Sequence, residues 1–433
     1  MCGFLVSISN SKISPLLWKQ AFDSIQHRGP DSSKVKLFNN NSLRIKFGFH
    51  RLAIVDHKNK NSNQPFITEK SVLVFNGEIY NYLSLKKKLI KKKIKFKTKS
   101  DTEVLVRYLE NFGLSKTLND IDGMWSFVWY LKSENKMFLA RDRYGEKPLY
   151  YFKNDNQFII SSEIKAILLL TNEKFEINLN TAHNFLNLGL INYDNTTLFS
   201  KIYQVPPSYY SELNLNNNLN SKLTKYHFFR KSINKLSFEN NSKILKEKLT
   251  ESLISRLSNE VNIGFLISGG IDSSINFAIA KNIIKKNDIN LFFAPSLDEN
   301  NKDNQSINLL EKKYKIKINK IRLPKKNSTL MNYLKKLIWI NDYPLASVAA
   351  INQYLMGAEA RKKNIKVLIS GQGADELFYG YLKYNSFYLI NLLKNKKFIK
   401  FLKNFLYLFQ NNFFRQIKIY NALRYLNFNF FNK

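Results

Sequence analysis

Ile263-Gly264-Phe265-Leu266-Ile267-Ser268-Gly269-Gly270-Ile271-Asp272-Ser273-Ser274 sets an apolar run against two glycines and a cluster of hydroxyls. The run reads as a buried strand, and an amphipathic helical pattern begins after Asp272. A loop between such a strand and helix gathers backbone N–H groups at the positive helix end, where an anion is held. The loop lacks the Gly-Lys-Ser/Thr ending that carries a lysine to the β- and γ-phosphates, so cleavage at that bond is not suggested.

Outward from this loop the pattern repeats. Asn290 to Ala294 and Lys366 to Ile369 read as further buried strands separated by helical segments, the signature of a parallel α/β sheet. Upstream, Leu245, Leu249, Leu253 and Leu257 recur at helical spacing. Residues 205 to 240 are weakly patterned, with Pro206-Pro207 and a polar Asn, Lys and Ser stretch, and suit a connector. Residues 1 to about 205 read as short strands such as Ser71 to Phe75, ahead of an Asn76-Gly77 turn, and Met124 to Leu131. The expected fold class is therefore a two-domain α/β and α+β chain, with domains at 1–205 and 240–433 and a connector at 206–239. The last fifty or so residues are helix-like and offer packing without visible chemistry.

The chain of 433 residues exceeds the usual single-core size, and its 44% apolar content suffices for two cores. No stretch approaches the roughly 18 apolar residues of a bilayer span, and no basic region precedes the short apolar patch at the N-terminus. The chain reads as cytoplasmic, without a membrane partner. A formal charge of +35 fits polyanion binding, but the lysines are scattered among Asn and Ile as codon bias scatters them, and clusters such as Lys86 to Lys93 read as solvated helix faces. No nucleic-acid partner is expected.

The single cysteine is Cys2, which excludes an internal disulfide and a cysteine-rich metal site. Removal of Met1 leaves a cysteine whose own α-amine, with a reference pKa near 8, can act as base for its thiol. Attack on an amide also needs oxyanion donors and groups that grip the substrate. Asn76 and Gly77 offer a side-chain amide and a backbone N–H. Arg51 can hold a carboxylate, and Glu78 and Asp101 an ammonium. Thiol, carboxylate clamp and ammonium clamp together describe a site for hydrolysing an amino-acid amide.

Cys2-Gly3-Phe4, His27-Arg28-Gly29-Pro30-Asp31, Arg51-Leu52, Asn63-Gln64-Pro65, Asn76-Gly77-Glu78-Ile79-Tyr80-Asn81, Ser100-Asp101-Thr102-Glu103 and Ala140-Arg141-Asp142-Arg143-Tyr144-Gly145 resemble, in order, the class II glutamine amidotransferase domain of asparagine synthetases. The resemblance covers the first domain. It implies the four-layer αββα fold of N-terminal nucleophile hydrolases, Cys2 as nucleophile, Asn76 and Gly77 as oxyanion hole, and Arg51, Asn76, Glu78 and Asp101 as glutamine-binding residues. Asp31, Asp142 and Arg143 read as structural. Lys147-Pro148-Leu149-Tyr150 and Ser161-Ser162-Glu163-Ile164-Lys165 also match, and the resemblance implies that they help shape the ammonia route.

In the second half the Ser268-to-Ser274 string resembles the pyrophosphate loop of ATP pyrophosphatases, which cleave between the α- and β-phosphates and adenylylate a substrate. Ser370-Gly371-Gln372-Gly373-Ala374-Asp375-Glu376 follows another strand. The resemblance implies an ATP site of Leu266, Ser268, Gly269, Gly270, Asp272, Ser273, Ser274, Ser370, Gly371 and Gln372, with Mg2+ on Asp272 and Asp375. Three features depart from the family: Asp303-Asn304 stands where an acidic pair is usual, Asp342-Tyr343-Pro344 retains only part of its family pattern, and nothing after Tyr381 reproduces the later lysine and acidic motifs of the acceptor site. The chain reads as C-terminally truncated, as one part of a split gene product completed by a separate chain, or as a diverged member.

The resemblance implies a glutamine-dependent asparagine synthetase using glutamine, aspartate and MgATP, with dimerisation usual for the family. Amidation of another carboxylate or a sugar, and glutaminase activity alone, are the alternatives. Activation of a tRNA base with sulfur insertion would need thiols beside the ATP loop, and that half has none.

Overall fold

The computed structural model describes residues 1–410 except 41–42, 172, 192–193, 217–218, 220, 230–235, 258–259, 285–288, 297, 299–300 and 348. The helix-like reading of 411–433 lies outside the described residues. The elements begin with β1 (Gly3–Ser9), α1 (Pro15–Asp23), β2 (Ser32–Asn40), β3 (Leu43–Arg51), β4 (Phe66–Ile67), β5 (Ser71–Ile79), α2 (Tyr82–Lys91) and α3 (Asp101–Asp120). Next come β6 (Gly123–Leu131), β7 (Lys136–Arg141), β8 (Tyr150–Lys153), β9 (Gln157–Ser161), α4 (Ile164–Leu170), α5 (Leu179–Leu188), β10 (Ile202–Gln204), β11 (Tyr209–Asn214) and β12 (Ser221–Lys225). Then follow α6 (Phe238–Arg256), β13 (Asn262–Leu266), α7 (Ile271–Ile283), β14 (Asn290–Phe293), α8 (Lys302–Tyr314), β15 (Asn319–Lys320), α9 (Asn327–Asn341) and α10 (Ala349–Lys362). The chain continues with β16 (Ile365–Ile369), α11 (Ala374–Phe378), α12 (Lys383–Lys394) and α13 (Phe398–Gln410).

The chain divides into two compact units: Met1–Ile263 with Arg322–Val367, and Gly264–Ile321 with the residues from Leu368 onward. The first holds two six-stranded sheets, ordered β10-β8-β9-β1-β3-β2 and β12-β11-β7-β6-β5-β4. Side chains alternate between the two faces of a strand. Phe4, Val6 and Ile8 therefore join Val72, Val74, Val128 and Tyr130 in a core between the sheets. Leu5 on the other face of β1 meets Trp18 and Phe22 of α1 and Ile167 of α4. Leu73 and Phe75 of β5 likewise meet Leu85 and Leu89 of α2 and Leu105 and Leu109 of α3. Burial on both faces is why these strands read as continuous apolar runs, and the layers form the αββα sandwich.

Two local expectations change. Asn76-Gly77 is no turn: β5 runs on to Ile79, pairing Asn76 with Ser126 and Gly77 with Trp125. Gly77 has φ 156°, and a Cβ there would stand 2.1 Å from the Met124 carbonyl oxygen, so the glycine serves close strand approach rather than reversal. The weakly patterned stretch after Pro206-Pro207 supplies β11 and β12, with Leu213 fully buried.

In the second unit the strands lie in the order β15-β14-β13-β16, with β13 parallel to β14 and β14 parallel to β15. Among the described residues no helix is long and apolar enough to cross a membrane.

Candidate active sites

In the first unit, Cys2 precedes β1 beside the last residues of β3. Its thiol donates to the Leu52 carbonyl at 3.6 Å and accepts from the Leu52 N–H at 3.4 Å. Burial pushes the thiol upward, against the pull of the chain's amine, the Leu52 N–H, Arg28 and Arg51. The Met1 amine is pushed down to about 5, by burial first and by the charges of Arg28 and Lys147, while Cys2 and Glu78 act in the opposite sense. Thiol, amine, Arg28, Arg51, Lys147 and Glu78 therefore share one electrostatic neighbourhood.

Asn76 is 0% exposed, and neither its Oδ1 nor its Nδ2 has a hydrogen-bond partner within the described chain. A buried amide without partners is costly unless a ligand supplies them. Asp101 stands in the first turn of α3; its carboxylate accepts from the Ile79 N–H at 3.1 Å and the Thr102 N–H at 2.9 Å. Burial raises it to about 7; the Ile79 N–H opposes this and the Glu78 charge adds to it. Glu78 is itself raised, by burial, with Lys147 opposing. Two neighbouring carboxyls that both resist ionisation favour a cation placed between them.

Arg51 is committed differently from a free clamp. Its Nη1 donates to the Asn59 carbonyl at 3.1 Å and Asn63 Oδ1 at 2.9 Å, and its Nη2 to the carbonyls of Val55 and Asp56, each at 3.1 Å. All four Nη protons thus hold the 55–63 loop, and a bidentate grip on a carboxylate requires releasing part of that set.

Asp142 and Asp31 organise loops. Asp142 accepts from the N–H groups of Trp125, Tyr144, Glu146 and Lys147, and Asp31 from the Ala53 N–H and Lys366 Nζ. Sequence reasoning assigned no charged role to Glu163, Lys165 or Asp342, yet they form a buried cluster with His27 and Arg28. Glu163 is opposed by burial but drawn down to about 2 by the His27 hydrogen bond and the charges of Arg28 and Lys165. Asp342 is raised by burial, against the charge of Lys165. The Ser161-to-Lys165 motif was a visible signal for half of this cluster; its partner Asp342 lay 178 residues from Ile164.

In the second unit, Ser268 to Gly270 link β13 to α7. Ser268 N–H donates to Ser273 Oγ at 3.1 Å, Gly270 N–H to Ser268 Oγ at 3.2 Å, and Ser274 Oγ to the Gly270 carbonyl at 2.7 Å. The hydroxyls thus close the loop over the first turn of α7. Gly269 has φ +85°, and a Cβ on it would stand 2.7 Å from the Asp303 carbonyl oxygen. The second glycine loop packs against this turn: a Cβ on Gly371 would lie 2.9 Å from Ser273 N, and Asn276 Nδ2 donates to the Ser370 carbonyl at 3.1 Å. Leu266 ends β13 half-buried, and the Gln372 N–H donates to Ser370 Oγ at 3.4 Å. Asp272 is raised by burial and by the charge of Asp375. Two hard oxygen donors fit Mg2+, which usually takes one or two carboxylates together with substrate phosphates. No group of three His, Cys, Asp or Glu among the described residues could hold a metal by itself.

Residues 1–227 match the family described as glutamine amidotransferase domain, and residues 244–425 match asparagine synthase. Asparagine synthetase (glutamine-hydrolyzing) 1 of Bacillus subtilis strain 168 is 30% identical over 88% of this chain and 59% of its own length. Asparagine synthetase (glutamine-hydrolyzing) 2 of the same strain is 30% identical over 88% of this chain and 52% of its own length. The chain therefore spans little more than half the length of these relatives. With both domains matched in order and with the thiol, orphan amide and glycine loops described above, the chain belongs to the glutamine-hydrolysing asparagine synthetase family.

Proposed function

We propose that the first unit hydrolyses glutamine and the second activates a carboxylate, aspartate in the leading reading, with ATP for amidation by the released ammonia. The observation that carries this reading is the orphan Asn76 amide in the same unit as the lone thiol, because an oxyanion donor requires polar atoms left free for a ligand.

With Met1 removed, the Cys2 α-amine takes the thiol proton and sulfur attacks the γ-carbonyl carbon of glutamine. Asn76 Nδ2 and the Gly77 N–H stabilise the oxygen as it gains charge. The amine returns the proton to the departing nitrogen, ammonia leaves, and water cleaves the thioester to glutamate. Glu78 and Asp101 hold the substrate ammonium; Arg51 meets its carboxylate after yielding part of the 55–63 loop.

In the second unit the loop of Ser268, Gly269, Gly270, Ser273 and Ser274 cradles the ATP phosphates, with Ser370, Gly371 and Gln372 beside it. Asp272 and Asp375 would hold Mg2+, which when bound neutralises charge on the leaving pyrophosphate. The β-carboxylate of aspartate displaces pyrophosphate at the α-phosphorus, and ammonia then displaces AMP, giving asparagine. Keeping ammonia from water preserves its unprotonated, reactive form.

The test is Cys2→Ala with two nitrogen donors. Loss of asparagine formation from glutamine, with retention from ammonium, supports the reading. Unchanged glutamine hydrolysis overturns the role of Cys2. Glutamine hydrolysis in the native chain without asparagine or AMP would favour another carboxylate or sugar acceptor, or glutaminase activity alone.

A further inference from the structure

The conspicuous charge cluster outside both sites runs from the backbone of Cys2 to Asp342. Arg28 Nε donates to the Cys2 carbonyl at 2.9 Å, and its Nη1 to Glu163 Oε1 at 3.0 Å. His27 Nε2 shares that oxygen at 3.0 Å, while Glu163 Oε2 accepts from Lys165 Nζ. Lys165 Nζ lies 3.0 Å from Asp342 Oδ1 and donates to the Ile340 carbonyl at 3.3 Å. The Trp339 ring covers it, 4.8 Å from Lys165 Nζ and 5.3 Å from the His27 ring. The side chains of Arg28, Glu163, Lys165 and Asp342 are 8%, 4%, 8% and 7% exposed. Two cations alternate with two anions, so the row is neutral and each charge has an opposite neighbour, which makes such burial tolerable.

Asp342 also does for α4 what the local sequence leaves undone. Glu163 stands at the N-cap of α4 without a side-chain capping bond. Asp342 Oδ2 instead accepts from the N–H groups of Ile164 at 2.7 Å and Lys165 at 3.2 Å. A carboxylate placed there satisfies free N–H groups and opposes the positive helix end. Asp342 itself terminates α9 with φ 60°, and its N–H donates to the Ile338 carbonyl at 2.9 Å. It lies within the segment matched by the asparagine synthase family, yet it packs in the unit that carries Cys2.

We infer that Asp342, acting through Lys165, Glu163 and Arg28, is a positioning residue for the Cys2 nucleophile, so that a residue of the synthase-matched segment sets glutaminase geometry. This rests on the amidohydrolase reading of Cys2. Its physical basis is that the carbonyl of Cys2 is held by a guanidinium whose own orientation depends on Glu163, and Glu163 in turn is shared with a lysine anchored by Asp342. A displacement of about 1 Å at a reacting group costs on the order of 100-fold in rate.

The experiment uses the full chain and two readouts: kcat and KM for glutamine hydrolysis, and the rate at which iodoacetamide alkylates Cys2, the only thiol. Asp342→Asn is expected to lower kcat at least tenfold with KM within threefold, and to change the alkylation rate at least threefold. Values within twofold of the native chain in both readouts overturn the inference. If Asp342→Asn fails to fold by circular dichroism, Lys165→Arg and Lys165→Met decide: the arginine variant should retain kcat within threefold and the methionine variant lose at least tenfold, and equal behaviour overturns it. Absence of glutamine hydrolysis in the native chain would instead refute the amidohydrolase reading, while the alkylation comparison still decides the relay.

Discussion

Gly77 passes so close to Met124 that a Cβ on it would stand 2.1 Å from the Met124 carbonyl oxygen and 2.7 Å from Trp125 Cα. The clash is with backbone, which cannot swing aside as a side chain can. Gly77→Ala should therefore destabilise the first unit by about 3 kcal/mol and displace the N–H offered to the oxyanion. Thermal melting alongside glutaminase assay checks it; a native melting temperature would mean that the β5–β6 pair adjusts freely.

Asn76 gives the opposite expectation. Its side-chain polar atoms bond to nothing in the described chain, so Asn76→Ala forfeits no hydrogen bond on folding and should alter stability by about 1 kcal/mol or less. Glutaminase kcat should nevertheless fall about 100- to 1000-fold, the usual effect of removing an oxyanion donor. Parallel chemical denaturation and steady-state kinetics separate the two effects.

Asp101 links stability to pH with a defined sign. Burial, with the Glu78 charge added, carries its pKa from the ordinary value of 3.8 to about 7 in the folded chain. Between those values the folded chain retains a proton that the unfolded chain releases, so this residue makes stability fall as pH rises through that window. Asp101→Asn should raise the melting temperature at pH 8 relative to the native chain, with the difference vanishing by about pH 4. The same substitution should abolish glutamine turnover, and native kcat/KM should rise with pH through about 7 as the carboxylate needed for the substrate ammonium forms. A flat kcat/KM profile would remove Asp101 from that role.

Burial and the charge of Asp375 both disfavour ionisation of Asp272 when no cation intervenes. Asp272→Asn should leave the fold unchanged or slightly more stable in chelator, abolish pyrophosphate release from ATP, and leave glutamine hydrolysis measurable. Stability of the native chain should increase on adding Mg2+ with pyrophosphate, and this increment should be missing in the variant. Pyrophosphate release at the native rate would exclude Asp272 from the metal site.

Gly269 holds φ +85° with Asp303 backbone against it. Gly269→Ala should weaken ATP binding by about tenfold or more through loop distortion, measured by nucleotide-dependent thermal shift.

The sequence by itself determined the elements and the chemistry that local order encodes. A strand, two glycines and a helix start sit within the Ile263-to-Ser274 string, and Cys2 is singled out by being the one thiol, because such features depend on neighbours a few residues away. Register was legible only in part: the apolar run Ser71 to Phe75 announced a strand, but its continuation through Gly77 depends on the backbone of Met124 across the sheet. Only the tertiary structure decided that Asn76 is an orphan amide, that Arg51 spends its Nη protons on the 55–63 loop, and that burial beside Glu78 raises Asp101. It alone joined Glu163 to Asp342 through Lys165. Periodicity and turn chemistry specify what a segment becomes, whereas desolvation and ion pairing depend on which distant segments the packed core brings into contact.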